Sequence, residues 1–545
     1  MKFRRIETEI DKYFANHTFF QQDRTFAIFA ILTQLELIAR IKGFPEIRVD
    51  IINQFRRGVE KALYMIFEYC PNSGIGLKNG VYYFIIGNQD RLISTHREFL
   101  LSIAEYQTFE TFCKLYSRGF VDISIKKSKI KFLIKDNNEL RTVVYEYQKM
   151  PSQNENIRLN AWKYVPLYRN FKRDLTRITS NLNYWIHKTG FLPSRYNFSV
   201  EEVAAESFYV RSLLIRNRNI PINYDFGKYE LNDFRIFWEY ILLKIYLILR
   251  LLDPQLFLKL KYPFYYVQKK SEWIEEIANS TRLPINKVHD LIDDLSFDCR
   301  LQNVGARSQP FIPIENDYLI LSPTLAAKYY YENHFLELQC KINKRNYDSF
   351  STKKENILLS EIEPILSGWK SISYKSRIKI KLDGKYLTDI DLCIYDRNCN
   401  TLILIQIKWP IGGKSILDLH EKDSEVEQGI FQAQKSFNYV RNNIKEFVSN
   451  NFKEINKNRV KKIQNLIVLK ETSGTTTKTI KKYPFLDYDI FKEFITKQKN
   501  DFTDIIKIAE KREFLPRYGK DFKLGYNKWD VLNYEMKFPA IQNIK

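Results

Sequence analysis

Residues 388–409 read TDIDLCIYDRNCNTLILIQIKW. Two aspartates, Asp389 and Asp391, stand two apart; a turn over 396–400 follows; then a nearly unbroken apolar run ends in Gln406-Ile407-Lys408. Strand side chains alternate between faces. Asp389 and Asp391 therefore share a face, and Gln406 and Lys408 share one on the next strand. Ile403, Ile405 and Ile407 point the other way, into a core. A buried ammonium is costly unless paired. Two arrangements satisfy the pattern. In one, Lys408 forms a cross-strand ion pair with Asp389 or Asp391, and Gln406 is a satisfied polar residue. In the other, Asp391 and the side-chain oxygen of Gln406 hold a hard cation such as Mg²⁺ through oxygen ligands. Lys408 would then orient or deprotonate the attacking water and offset phosphate charge.

The flanking pattern gives this stretch its context. STKKENILLSEIEPILSG (351–368) has the spacing of a helix, with Lys353, Lys354 and Glu355 in its first turns. WKSISYKSRIKIKL (369–382) alternates apolar and basic residues as a half-buried strand does, and Asp383-Gly384 is a hairpin turn. KYLTDIDLCIYD is a second strand and TLILIQIKW a third. DSEVEQGIFQAQKSFNYVRNNIKEFV (423–448) follows as one helix, with Val426, Ile430, Ala433, Phe437, Val440 and Ile444 on its apolar stripe. IQNLIVLKE (463–471) and YPFLDYDIFKEFI (483–495) add a further strand, a strand end and a closing helix.

Helix with an acid, strand, DxD strand and a strand ending QxK together resemble the PD-(D/E)xK nuclease superfamily, the restriction-endonuclease-like fold, over about residues 350–495. The QxK in place of ExK is similar to the Mrr-type branch. The resemblance implies a central mixed sheet flanked by helices and Mg²⁺-dependent cleavage of nucleic-acid phosphodiesters, with Mn²⁺ as an alternative metal. It implies Glu355 as the helix acid, with Glu361 and Glu363 as rivals, Asp391 as the family aspartate, and Gln406 and Lys408 as the last motif. Asp389 resembles the additional acid that often precedes the family aspartate, and Gln432 a site-facing glutamine on the following helix. Gln406 replaces a carboxylate with a neutral amide, which bears directly on metal affinity.

Composition points the same way. Lys and Arg number 86 against 64 Asp and Glu, a net charge of +22. That sign favours a polyanionic partner. Lys353, Lys354, Lys375, Arg377 and Lys379 would form a strip suited to backbone phosphates. The six cysteines are scattered with no CxxC pair or zinc-ligand spacing, as expected of free thiols in a reducing cytosol. The most membrane-like run, residues 234–252, carries Arg235, Glu239, Lys244 and Arg250 and is expected to be a buried helix of a large core.

The expected class is α+β and multidomain, a large mainly helical N-terminal region preceding an α/β restriction-endonuclease-like domain. The expected divisions are a helical domain over 1–150 ending in a β-hairpin, a mainly helical domain over 157–345, the nuclease-like domain over 350–498, and a basic extension over 499–545. The hairpin, VDISIKKSKIKFLIKDNNELRTVVYEYQ, is expected to turn at Asp136-Asn137-Asn138. SEWIEEIANSTRLPINKVHDLIDDL (271–295) is spaced like a helix-turn-helix, but Arg282 takes the turn position usually held by glycine. Asp290, Asp293 and Asp294 would face phosphates badly. Residues 271–323 are therefore expected to be a winged-helix-like packing unit, closed by a hairpin at 311–323.

The expectation is thus a cytoplasmic metal-dependent endonuclease acting on DNA in preference to RNA. Restriction or anti-phage defence is its setting by analogy, and a homodimer or partner protein its assembly. The alternative is a non-catalytic nucleic-acid-binding or scaffolding protein with a decayed nuclease fold.

Overall fold

The computed structural model describes residues 2–41, 49–73, 97–135, 223–251, 265–301, 308–326, 331–410, 423–456, 458–470, 483–497 and 502–543, and isolated positions between them. The linker and helices expected between 146 and 222, and the loop at 473–479, lie outside them. The chain is mixed α/β and separates into two compact units, residues 1–113 with 152–347, and residues 114–151 with 348–545.

The first unit contains helices Lys2–Ala15, Arg24–Ile41, Val49–Tyr69 and Leu231–Leu251. No helix among the described residues is long and apolar enough to cross a membrane. Arg235 and Lys244 on the 231–251 helix are neutralised internally. Arg235 pairs with Glu332 at 2.6 Å, and Lys244 pairs with Glu276 inside a box of Tyr240, Tyr266 and Trp273 rings. Strand Tyr266–Lys269, helices Lys270–Thr281 and Ile285–Leu295, and strands Phe311–Pro313 and Tyr318–Leu321 follow. The three strands form an antiparallel sheet with 318–321 in the middle. Two helices and the 311–321 hairpin thus stand where the sequence reading put them, with a third strand, Tyr266–Lys269, ahead of them. Arg282 adopts φ 61° at the turn, in glycine's usual place. Asp293 pairs with Lys270, and Asp294 accepts hydrogen bonds from Tyr229 and Lys228, so both are engaged within the unit.

The second unit is built on a five-stranded sheet. Its elements are helix α1 (Lys344–Ser367, in this unit from Asp348), strands β1 (Ile372–Leu382), β2 (Lys385–Asp396) and β3 (Thr401–Lys408), helices α2 (Asp423–Asn442) and α3 (Ile444–Asn451), strands β4 (Lys462–Leu469) and β5 (Phe485–Asp487), and helix α4 (Tyr488–Lys497). The order is β5-β4-β3-β2-β1. β1, β2 and β3 pair antiparallel; β3, β4 and β5 pair parallel. Asp383 and Gly384 take φ 51° and 76°, as the tight β1–β2 hairpin requires. The single helix expected over 423–448 is two, divided at Asn443, whose side-chain amide donates to the Tyr439 carbonyl.

α2 and α3 cover one face of the sheet. Leu402, Leu404, Cys393 and Tyr395 pack with Val440, Phe447 and Val448, while Ile467 and Leu469 pack with Val426, Ile430 and Ala433. Each Leu, Ile, Val or Phe among them contributes about 1.5–3 kcal/mol on burial. α1 and α4 are tied together by the Tyr488 hydroxyl, which donates to the Leu358 carbonyl, and Trp369 Nε1 donates to the carbonyl of Ile495.

The expected domain boundaries need correction. Strands Val121–Lys126 and Lys129–Ile134 join Phe522–Val531 and Tyr534–Asn543 in a four-stranded sheet belonging to the second unit. The 121–134 hairpin therefore does not close the N-terminal domain, and 499–545 is not a mere extension. A two-stranded hairpin is at best marginal alone. Parallel pairing of 129–131 with 535–537 gives both hairpins a shared inner face of Ile130, Phe132, Trp529, Met536 and Phe538. The first hairpin turns at Lys127, with φ 55°, and not at 136–138, of which the described residues include none. Likewise, the regions expected as two domains, 1–150 and 157–345, contribute to one unit.

Candidate active site

The pairing of β2 with β3 runs from Asp396↔Thr401 to Leu392↔Ile405 and stops. β3 continues along β4 as far as Lys408↔Leu469. Asp391, Gln406 and Lys408 sit where β3 has lost one neighbour, and side chains replace the missing rungs. Asp391 Oδ2 accepts the Ile407 N–H at 2.7 Å, and Gln406 Nε2 donates to the Asp389 carbonyl at 2.7 Å.

Parallel register places Gln406 and Lys408 beside Ile467 and Leu469, on the face that α2 covers. The lysine stem lies against Gly429. A Cβ there would stand 3.1 Å from Lys408 Cγ, so the helix makes room by lacking a side chain. Lys408 Nζ reaches Glu355 Oε2 at 3.5 Å. The rival acids are engaged elsewhere: Glu361 pairs with Lys492 at 2.6 Å, and Glu363 pairs with Arg377 at 2.9 Å. Glu355 is thus the helix acid that reaches the lysine. Gln432 on α2 donates through Nε2 to Asp389 Oδ1 at 3.3 Å. The five residues Glu355, Asp389, Asp391, Gln406 and Lys408 come together, with Gln432 at their edge.

Burial pushes the Asp391 carboxyl up to about 7. Lys408 and the Ile407 N–H pull it down, while Glu355 and Asp389 push it further up. Burial alone would lower the pKa of Lys408, but Glu355, Asp391 and Asp389 outweigh it and hold the ammonium above its ordinary value. That environment favours the charged ammonium, a group suited to orient a substrate and to neutralise charge.

The donor set fits a hard divalent cation. Gln406 is 1% exposed, and its Oε1 has no hydrogen-bond partner. A buried acceptor left unmatched costs about 1–3 kcal/mol. Asp391, whose charge is penalised by burial, stands beside it. A cation between Asp391 and Gln406 Oε1 would relieve both, and both ligands are oxygens, as Mg²⁺ requires. Gln432 Oε1 is also buried and unmatched. Among the described residues no group of three His, Cys, Asp or Glu is placed to hold a metal.

The basic strip divides. Lys353, Lys375 and Lys379 are exposed, and Lys379 is the cross-strand partner of Asp389. Arg377 is exposed but donates to Glu363 and Asn356. Lys354 departs from the expectation: it is 1% exposed and packs over the rings of Trp409 and Phe350 at 5.5 and 5.9 Å. One helical step of about 100° turns it from the face of Lys353 into the core.

Two residues escaped the sequence reading. Gly429 carried a signal, an isolated glycine inside a helical pattern. Tyr386, 60% exposed, lies near Asp389, and burial followed by the Asp389 charge raises its pKa; nothing in its sequence context marks it. Comparisons with protein-family models, curated proteins and solved structures give no match to this chain.

Proposed function

We propose that the chain is a divalent-metal-dependent nuclease of the PD-(D/E)xK type, hydrolysing phosphodiester bonds in DNA, with its chemistry in the second unit. The observation that carries this is the buried, unmatched Oε1 of Gln406 beside Asp391 and on the strand of Lys408. The order α1-β1-β2-β3-α2 and the mixed sheet support it. The defence setting and endonucleolytic cutting remain part of the proposal by analogy of fold alone.

Asp391 and Gln406 would hold Mg²⁺ or Mn²⁺, with Asp389 and Glu355 at the border of the site. When bound, the ion supplies Lewis-acid polarisation and a more acidic water. Lys408, protonated and steered by Glu355, would donate to a non-bridging oxygen of the scissile phosphate as charge grows there. Lys379, exposed opposite Asp389, would hold a neighbouring phosphate. Water attacks phosphorus, the bond to the leaving oxygen breaks, and the products are a phosphomonoester and a hydroxyl end.

Calorimetric titration with Mn²⁺ tests the site. The wild type should bind, and Asp391→Ala and Gln406→Ala should each lose at least tenfold in affinity while melting as cooperatively as wild type. Equal binding by all three would overturn the assignment.

A further inference from the structure

We propose that the solvent face of the four-stranded sheet formed by residues 121–126, 129–134, 534–543 and 522–531 binds single-stranded nucleic acid, with phosphates on Lys131, Lys537 and Lys528 and a base on Tyr526. The surface is separate from the residues assigned to cleavage, and the proposal stands whether or not the chain cuts.

The register produces the row. Lys131 lies beside Lys537, and Lys537 opposite Lys528, on three neighbouring strands. Strands stand about 4.8 Å apart, so the three stems fall within about 10 Å. Like charges directly opposite destabilise a sheet. The fold tolerates the row because carboxylates stand in the next one, and the excess of ammonium groups suits a polyanion. The next row offers Asp530 and Glu535. Glu535 is within 3.2 Å of Lys528, 3.6 Å of Lys537 and 3.9 Å of Lys129, so one carboxylate serves three ammonium groups. Lys126 adds another positive charge on this face. Lys126, Lys129, Lys131, Lys528 and Lys537 thus share the face with three carboxylates, of which Asp122 pairs with Lys135 at 3.2 Å and Asp530 with Lys528 at 3.1 Å.

The aromatic selects the kind of polyanion. Tyr526 is 38% exposed, and Lys131 Nζ sits 4.1 Å from its ring centroid. A ring open enough to be capped by a cation can be capped by a base, and the displaced ammonium then has a phosphate to meet. Stacking of this kind needs an unpaired base, which a duplex does not present. An anionic lipid surface or a simple polyanion would use the lysines and ignore the ring.

The experiment is fluorescence anisotropy with the full chain in EDTA, using labelled oligo(dT), oligo(U) and a duplex of equal length at several salt concentrations. Tyr526→Ala should weaken binding of both single strands about tenfold and leave the duplex unchanged, while Tyr526→Phe behaves as wild type. The triple substitution Lys131→Gln, Lys528→Gln, Lys537→Gln should weaken single-strand binding at least tenfold. It should also flatten the log–log salt slope by about 2, since each single-strand phosphate contact contributes about 0.7. Lys528 and Lys537 are exposed and Lys131 is half-buried, and unchanged melting would show that the variants fold. Unchanged single-strand affinity in Tyr526→Ala overturns the proposal, and so does an unchanged salt slope in the triple variant. Because metal and cleavage play no part, failure here is distinct from failure of the nuclease assignment.

Discussion

The side-chain amide of Gln406 donates to the backbone carbonyl of Asp389 at 2.7 Å, across the point where β2 and β3 have stopped pairing. That bond fixes which way the amide faces: Nε2 closes the sheet, and Oε1 is left buried and unmatched beside Asp391. A glutamate could not make the same bond.

Gln406→Glu therefore has opposite effects with and without metal. It removes the donor to Asp389 and brings a second carboxylate to Asp391. The metal-free protein should lose about 1–3 kcal/mol of stability in urea denaturation, and millimolar Mg²⁺ should restore more of it than in wild type. A loss that Mg²⁺ does not recover would count against a metal between these two side chains.

Asp391 gives a pH dependence. Its carboxyl sits near 7 when folded, against about 3.9 unfolded. The unfolded chain gives up this proton first, so metal-free stability falls as pH rises from about 4 to about 7 and levels off above. The whole effect is on the order of 4 kcal/mol, from about three pKa units at 1.36 kcal/mol each. Melting across this range should show a shallower fall for Asp391→Asn than for wild type. Parallel curves would mean that Asp391 is not strained by burial.

Gly429→Ala separates stability from positioning. Alanine favours the helix by about 1 kcal/mol, but its Cβ would press on Lys408 Cγ at 3.1 Å. The melting temperature should hold or rise, while cleavage falls about tenfold through displacement of Nζ. Undiminished cleavage would show that the lysine tolerates the shift.

Lys354 and Lys379 should behave oppositely despite their shared charge. Lys354→Gln disturbs a buried stem packed on Trp409 and should destabilise folding by about 1–3 kcal/mol with no change in the salt slope of DNA binding. Lys379→Gln should leave folding unchanged and reduce that slope by about 1. Urea denaturation and salt-dependent anisotropy on the two variants distinguish them.

What was legible in the sequence was mostly local. The Asp383-Gly384 turn announces its left-handed backbone, and two-residue alternation alone puts Gln406 and Lys408 on one face. The Lys127 turn was hidden because lysine carries no preference for its φ of 55°. The four-stranded sheet was hidden because its central pairing joins residues 129–131 to 535–537, far apart in the chain. Lys354 and Lys353 look alike in sequence; only the rotation of α1 distinguishes core from surface. Gln432 could be named only through the family resemblance, and its bond to Asp389 depends on α2 lying across β3.

The most direct test is cleavage of plasmid and single-stranded DNA with Mg²⁺, Mn²⁺ or EDTA, by wild type beside Asp391→Ala and Lys408→Ala. The account predicts cutting only with metal, abolished in both variants while DNA binding and cooperative melting persist. Bound but uncut DNA in every metal, from a wild type that takes up no Mn²⁺ by calorimetry, would contradict it and leave a non-catalytic nucleic-acid-binding protein.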